Sequence, residues 1–479
     1  MELEQGVIDV KQKFWGAFFK RRKRTKRMDI LRYTFRFLRH FSMVPGKNLK
    51  LLLSDFLDKN IEQSHQGITR AVYGVIRRES ALDYVIRQLS RRTSGKIDAD
   101  VHILLRISIY LLIYSKSYPD YAVVNEAVRM ARRRSKGFVN AVLRRCAGEK
   151  DFIITMLRQI QEPHIKYSTA PLLIDYLKLS TPDLNAALEY LDREPVFHIR
   201  IARNHFSYAE VKEVLGEVGL VFRELKPFET FEVEGAGGSG VRLKNLLRES
   251  GYYFYFQNTA SQLISIIASK YAACAALDCC TAPGAKSITL ALLNPNLKIV
   301  ANDIDEQRLL LMKDFCAAYG IPNINLIVSD IRAMSFNGHF DLVILDAPCT
   351  SSGTLRKNPD LKLKITRELV DKNAENQYRI LQSVLKNLST DYILYSVCSF
   401  ITDETDGVLG RMLQEIQDAE KNIEIIDLSL ILEEYGFSYK KGEYGFYLLP
   451  NERLNNDLFY LSLLKVGKQA RETRETHEN

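Results

Sequence analysis

The sequence predicts an all-α front and, behind it, an α/β domain with a mostly parallel sheet and helices on both faces, the two joined by a smaller α+β segment. Three observations predict this. Apolar residues recur every three or four positions through the 46–150 stretch. From about residue 251, short β-like runs alternate with helical stretches. The unusual polar and sulfur-bearing residues of that second half fall just past the β-like runs, at the sheet edge where such folds bind ligands.

Size and charge narrow the function classes. The chain has 479 residues, 46% of them hydrophobic and 26% charged, which suits a soluble globular protein of two or three domains. The net charge of +9 conceals a polarity. Residues 1–150 carry 32 Lys and Arg against 14 Asp and Glu, whereas residues 151–479 carry 35 against 44. A basic front suits a polyanion such as nucleic acid, where phosphate neutralisation supplies affinity; a solvated basic surface would look the same. The seven cysteines (Cys146, Cys274, Cys279, Cys280, Cys316, Cys349 and Cys398) are odd in number and form no pair of CxxC units. That argues against a disulfide framework or a zinc ribbon and for a reducing cytoplasmic setting, with no metal expected. No apolar run approaches the roughly 18 residues of a membrane span, and no secretory leader is expected.

Along the chain, residues 1–45 read as a basic extension. Its Lys20–Arg27 run, flanked by Phe14, Trp15, Phe18, Phe19, Tyr33, Phe35 and Phe37, suits an RNA-gripping arm, an amphipathic membrane-surface helix or a solvated tail or helix face. Residues 46–150 read as helical: Ile103, Leu104, Ile107, Tyr110, Leu111 and Tyr114 share a face, and Pro119-Asp120 breaks the chain before Val123, Val124, Ala127 and Val128 resume the period. Residues 151–250 mix helix and strand and hold a Gly-rich loop at 235–240. The span 251–467 supplies β-like runs at Ala275–Cys279, Lys298–Asn302, Asn325–Ser329, Phe340–Leu345 and Tyr392–Tyr395, with helices at Glu306–Tyr319 and Thr366–Leu388 among them. Residues 468–479 are a tail.

Five motifs sit at strand ends. The run Asp278-Cys279-Cys280-Thr281-Ala282-Pro283-Gly284-Ala285-Lys286-Ser287 turns from a buried strand into a helix through small residues, which lets a ligand approach the backbone and the helix start; an ordinary strand-to-helix turn carries the same residues. Asp303 closes the next strand, where an acidic residue accepts ribose hydroxyls, and Asp305 suits the cap of the following helix. Asp330 closes the third strand and suits an adenine amino group or a turn. Asp346-Ala347-Pro348-Cys349 and Tyr395-Ser396-Val397-Cys398-Ser399 follow apolar strands. A buried cysteine is usually a small core residue, but two at the ligand edge of one sheet are better explained by reactivity.

In this order the motifs resemble the RNA cytosine-5 methyltransferase family that contains the bacterial Sun (Fmu) and eukaryotic nucleolar Nop-type proteins, whose pattern is roughly DxCAAPGGKT, then DAPCSGTG, then TCS. The helical stretch, with Leu105-Arg106, Asn125-Glu126-Ala127-Val128 and Phe138–Arg144, resembles a NusB-like RNA-binding domain. The combination looks like the bacterial 16S ribosomal RNA cytosine-5 methyltransferases over about residues 50–467. Ala285 stands for the second glycine of the first motif, Thr350-Ser351-Ser352 for the Ser-Gly-Thr of the second, and Val397 for the Thr of the third.

The resemblance implies a Rossmann-like class I methyltransferase domain behind a NusB-like domain and a small α+β connecting subdomain. It implies S-adenosylmethionine as cofactor, held by Cys280, Thr281, Ala282, Pro283, Gly284, Ala285, Lys286, Asp303, Arg308, Asp330 and Asp346. It implies Cys398 as covalent nucleophile, Cys349 as the residue that assists its release and Asp346 at the edge of the base. Lys286 would serve the cofactor or organise Asp346. Arg356, Lys357, Lys362 and Lys364 suit phosphate contacts or a solvated loop. The expected partner is 16S ribosomal RNA, with the protein a monomer; transfer RNA, or RNA binding by a vestigial methyltransferase fold, are the rival readings.

Overall fold

The computed structural model describes residues 29–467 apart from 45, 61–65, 92–95, 116–117, 202–207, 218–220, 227, 234–253, 319, 337 and 419–421. The Lys20–Arg27 run, the Gly-rich segment and the 468–479 tail lie outside the described residues. Among those described, no helix is long and apolar enough to cross a membrane. The described residues divide into two compact units, the first running to Thr169 and including Asn358–Asp360, the second holding the rest.

The first unit is helical: α1 (Asp29–Ser42), α2 (Leu49–Asn60), α3 (Gln66–Arg77), α4 (Glu79–Ser90), α5 (Ala99–Tyr114), α6 (Asp120–Met130), α7 (Lys136–Gly148) and α8 (Lys150–Gln159). Helix α5 is its axis. Asp98 caps it by accepting from the backbone N–H groups of Asp100 and Val101, and Leu104, Leu105, Ile107, Ile109, Tyr110, Leu111 and Leu112 are all buried. A helix apolar nearly all round must be enclosed by its neighbours, and α1, α3, α4, α6 and α7 all pack on it.

Two boundaries of the sequence reading move. Helix α1 belongs to this bundle and not to an extension ending at 45. Leu31, Phe37 and Leu38 are buried, and the Phe37 ring packs against Phe41 and Phe56, so Phe37 serves the core and offers no platform for a base. At the other end Ile153 of α8 joins the same core, so the bundle runs past 150.

The second unit opens with α9 (Pro171–Ser180) and α10 (Leu184–Asp192), then a four-stranded antiparallel sheet in the order β2-β3-β1-β4. Its strands are β1 (Phe197–Ile201), β2 (Phe222–Leu225), β3 (Thr230–Val233) and β4 (Phe254–Phe256), with α11 (Tyr208–Glu217) between the first two. Strand β4 therefore belongs to the connecting sheet, through its pairing with β1, and not to the domain expected to begin at 251.

The main sheet has the order β11-β12-β13-β9-β8-β5-β6-β7, with β10 on β13. Strands β5 (Ala275–Asp278), β6 (Lys298–Asp303), β7 (Ile324–Val328), β8 (His339–Asp346) and β9 (Ser389–Val397) are mutually parallel. Strands β10 (Ile423–Ile426), β11 (Tyr439–Lys441), β12 (Phe446–Leu448) and β13 (Tyr460–Val466) extend the sheet antiparallel beyond β9. Side chains alternate along β8: Leu342 and Ile344 pack with α12 (Thr259–Tyr271), α13 (Ala285–Leu293) and α14 (Glu306–Ala318), whereas Val343 and Leu345 pack with α15 (Arg367–Asn387) and α16 (Asp406–Asp418). Both faces are covered, as a parallel sheet requires. Chain order reverses between β5 and β8, and ligands of such sheets bind at the carboxyl edge beside that reversal.

Candidate functional site

All five motifs meet at the carboxyl ends of β5–β9. Strand β5 ends on Asp278, a buried carboxylate that accepts the Ser287 hydroxyl at 2.6 Å. Burial pushes the Asp278 carboxyl up to about 6. The chain then turns through Cys279–Gly284. Gly284 has a φ of +94°, and a Cβ there would lie 2.3 Å from Met312 Sδ, so both conformation and space call for glycine. Thr281 N–H donates to Asn302 O at 2.9 Å, and the Thr281 and Ser287 hydroxyls are 2.9 Å apart. The Ala282 N–H donates to Asp303 Oδ2 at 2.9 Å. Pro283 follows Ala282 through a cis bond, and Ala285 is the first residue of α13.

Asp303, at the end of β6, thus holds this loop. Its Oδ1 also accepts Asp305 N–H at 3.0 Å, and Arg308 donates to Ala282 O while standing 3.8 Å from Asp303. Asp305 caps α14 through Arg308 N–H at 3.1 Å. Asp330, just past β7, is gripped by Arg332: Nε lies 2.9 Å from Oδ1 and Nη2 2.6 Å from Oδ2. That guanidinium holds the Asp330 carboxyl below its ordinary value. Of the residues expected at the cofactor, Asp303, Arg308 and Asp330 therefore already serve as loop supports or ion-pair partners.

The next group is tighter. Asp346, at the end of β8, accepts Lys286 Nζ at 2.5 Å on Oδ2 and the Ser396 hydroxyl at 2.9 Å on Oδ1. Burial works against the charge on Lys286, but the Asp346 carboxylate outweighs it and raises the ammonium above its ordinary value. Lys286 therefore contacts the Asp346-Ala347-Pro348-Cys349 motif directly. Cys349 Sγ and Cys398 Sγ are 3.4 Å apart, and the Cys398 thiol also reaches Ser351 Oγ at 3.4 Å. The hydrogen bond to Cys349, helped by Ser351 and Lys286 against burial and the Asp346 charge, holds Cys398 below the ordinary thiol value. The bond to Cys398, burial and the Glu404 charge push Cys349 up. The pair is polarised, with the thiolate favoured on Cys398.

Glu404 escaped the sequence reading, as did the supporting contacts of Ser396 and Gly353. Glu404 is buried and accepts from Thr350 N and Thr350 Oγ1 at 2.7 Å each and from Ser399 Oγ at 2.5 Å, tying together the residues that follow the two thiols. In the sequence it stands in an ordinary Asp-Glu-Thr run. Ser396 shares its side of β9 with Cys398, which the strand period implies. Gly353 is a close approach: its N–H donates to Cys398 O, and a Cβ would meet Leu458 O at 1.9 Å.

One expectation is corrected. Arg356 is 4% exposed, stacks on Tyr190 at 4.4 Å and donates to Glu194 O. Lys357 pairs with Asp457 at 2.5 Å, and Lys362 is 1% exposed beside Asp192. These three cations bind the protein's own carbonyls, carboxylates and rings, and Arg356 and Lys362 are too buried to grip phosphate.

The profile of the 16S rRNA methyltransferase RsmB/F family matches residues 269–465, and that of the NusB family matches 29–148. The chain thus carries an RsmB/F-family methyltransferase domain behind a NusB-family domain. It is therefore an S-adenosylmethionine-dependent RNA methyltransferase. Ribosomal RNA small subunit methyltransferase B of Klebsiella pneumoniae is 26% identical over 439 residues, covering 88% of this chain and 94% of the relative. Its counterpart from Escherichia coli K12 is 26% identical over 435 residues, covering 88% and 95%. Among solved structures, PH0851 matches with a TM-score of 0.67 at 21% identity over 93% of this chain and all of its own. NSun6 from Pyrococcus horikoshii, solved with SFG, matches with 0.51 at 18% identity over 63% and 99%. Both structural matches bear on the fold alone.

Proposed function

We propose that the protein transfers a methyl group to ring carbon 5 of a cytosine in 16S ribosomal RNA through a transient bond from Cys398 to the base. The observation that carries this is the pair of thiols 3.4 Å apart at the switch edge, beside a carboxylate already held by a lysine.

The cofactor residues suit S-adenosylmethionine. The acceptors suit its hydroxyl and amino groups: Asp303 and Asp330 stand at successive strand ends, and a carboxylate with about four acceptor sites retains capacity beyond the bonds it makes here. Asn302 Oδ1 is a buried acceptor without a protein partner at the same edge. The helix after the loop starts at Gly284 with no side-chain cap, which leaves its first N–H groups to a ligand. When bound, the cofactor supplies an electrophilic methyl on sulfonium.

The chain's residues do the rest. Cytosine carbon 5 is a poor nucleophile. Cys398 thiolate adds to carbon 6, the ring electrons shift towards N3, and carbon 5 becomes enamine-like; one hard step is divided into easier ones. Asp346 takes the N3/N4 edge of the base, its orientation fixed by Lys286 and Ser396. After transfer, Cys349 assists removal of the carbon 5 proton, its electron pair re-forms the ring double bond, and the carbon–sulfur bond breaks to return Cys398. General-base assistance of this kind contributes about 10²–10⁴ in rate. A cytosine paired in a helix must first be extruded. The 16S substrate follows the names of the relatives, and a ribosomal substrate together with seven free thiols fits work in the cytoplasm.

The test is methyl transfer to purified 16S RNA, with the product mapped by mass. Wild type gives 5-methylcytosine and Cys398→Ala gives none; product from Cys398→Ala would remove the nucleophile assignment.

A further inference from the structure

The loop after Cys349 makes a turn that a glycine would make more easily, and it places a serine there. Ser351 has φ 59° and ψ 28°, the left-handed region that penalises a Cβ. The turn is fixed from several sides. Ser351 O accepts Thr354 N–H at 3.0 Å and Thr354 Oγ1 at 2.8 Å, and Gly353 N–H donates to Cys398 O at 3.0 Å. The family pattern has glycine at this position. Backbone strain held in place by its surroundings at a reactive site points to a use for the side chain that causes it. Here the side chain ends in a hydroxyl 3.4 Å from Cys398 Sγ.

We propose that Ser351 is a catalytic residue, whose hydroxyl donates a hydrogen bond to the Cys398 sulfur in its thiolate form and aims it at the base. In the thiol form the bond runs the other way, from Cys398 S–H to Ser351 Oγ. The other groups around this sulfur are Cys349 at 3.4 Å and the Lys286 and Asp346 charges. Cys349 is committed to the carbon 5 proton, so its bond to Cys398 is not available throughout the cycle. Ser351 has no such second task and can hold the sulfur when Cys349 turns away. This inference rests on Cys398 being the nucleophile.

The test uses the full chain and two variants. Ser351→Gly removes the hydroxyl and relieves the strain; Ser351→Ala removes the hydroxyl and keeps it. Iodoacetamide alkylation of Cys398 is followed against pH by peptide mass spectrometry, which separates it from the other cysteines. In both variants the pH midpoint is expected to rise by about one, a roughly tenfold slower alkylation at neutral pH. The kcat for methyl transfer should fall by about the same factor with KM for RNA unchanged, while Ser351→Gly melts no lower than wild type. A Ser351→Gly profile that overlays wild type, or a defect confined to Ser351→Ala, overturns the proposal. Methylation by Cys398→Ala would instead overturn the nucleophile assignment beneath it.

Discussion

Lys286 Nζ lies 2.5 Å from Asp346 Oδ2, joining the first turn of the helix after the cofactor loop to the residue that opens the Asp-Ala-Pro-Cys motif. The pair is mostly buried, with the lysine side chain 13% and the aspartate 25% exposed. In the proposed reaction, this one bond couples the loop that would hold the methyl donor to the carboxylate that would meet the base.

The consequence of breaking that pair is asymmetric. Lys286→Met leaves Asp346 desolvated without its partner, and is expected to cost about 2–4 kcal/mol of stability. Lys286→Met combined with Asp346→Asn should recover most of that loss, since no lone charge remains, while methyl transfer stays abolished. Urea unfolding and single-turnover transfer measured on the same samples check both halves. A double variant as unstable as the single one would contradict the charge argument.

Glu404 fixes the spacing of the two thiols from behind. Glu404→Ala strands the Thr350 N–H and two hydroxyls in the interior, at roughly 1–3 kcal/mol for each buried group left unpaired. Glu404→Gln keeps one acceptor and nearly the same volume, so its stability loss should be smaller, about 1 kcal/mol. Both should lower kcat more than they raise KM for RNA, because the Thr350 and Ser399 segments set Cys349 against Cys398. A pure KM effect would show that Glu404 serves RNA binding instead.

Asp278 gives the fold a pH signature. Its carboxyl is pushed by burial from 3.8 up to about 6. The native state therefore keeps a proton that the unfolded chain has released. This contribution to stability is full below the unfolded value and is lost as pH rises through about 6. Its size is at most about 3 kcal/mol, at 1.36 kcal/mol for each unit. Asp278→Asn removes the dependence, so its melting temperature minus that of wild type should climb between pH 4 and 7. A difference that stays flat across that window would show that the carboxylate remains ionised in the native protein.

Much of this was legible in the sequence because each signal was local. Strand, small-residue turn and helix follow one another around Asp278–Lys286, and Cys349 and Cys398 both come just after apolar strands. What was not legible depends on residues far apart in the chain. The choice between the two roles open to Lys286 needs β5 beside β8, a pairing fixed by the whole sheet. Glu404 stands in an ordinary Asp-Glu-Thr run, and only the fold brings Thr350 to it across 54 positions. Arg356 and Lys362 look like RNA ligands because charge in a loop normally means solvent, but tertiary packing buries both. The helix at Asp29–Ser42 was hidden by the basic run before it, which masked the apolar stripe of Leu31, Phe37 and Leu38.

The central claim is a bond between one sulfur and one pyrimidine, and trapping that bond tests it most directly. Cys349→Ala, incubated with S-adenosylmethionine and unmethylated 16S RNA and run on a denaturing gel, should accumulate a protein–RNA adduct whose cross-linked peptide contains Cys398. The Cys349→Ala, Cys398→Ala double variant should form none. An adduct that survives in the double variant, or maps to another residue, would contradict the account.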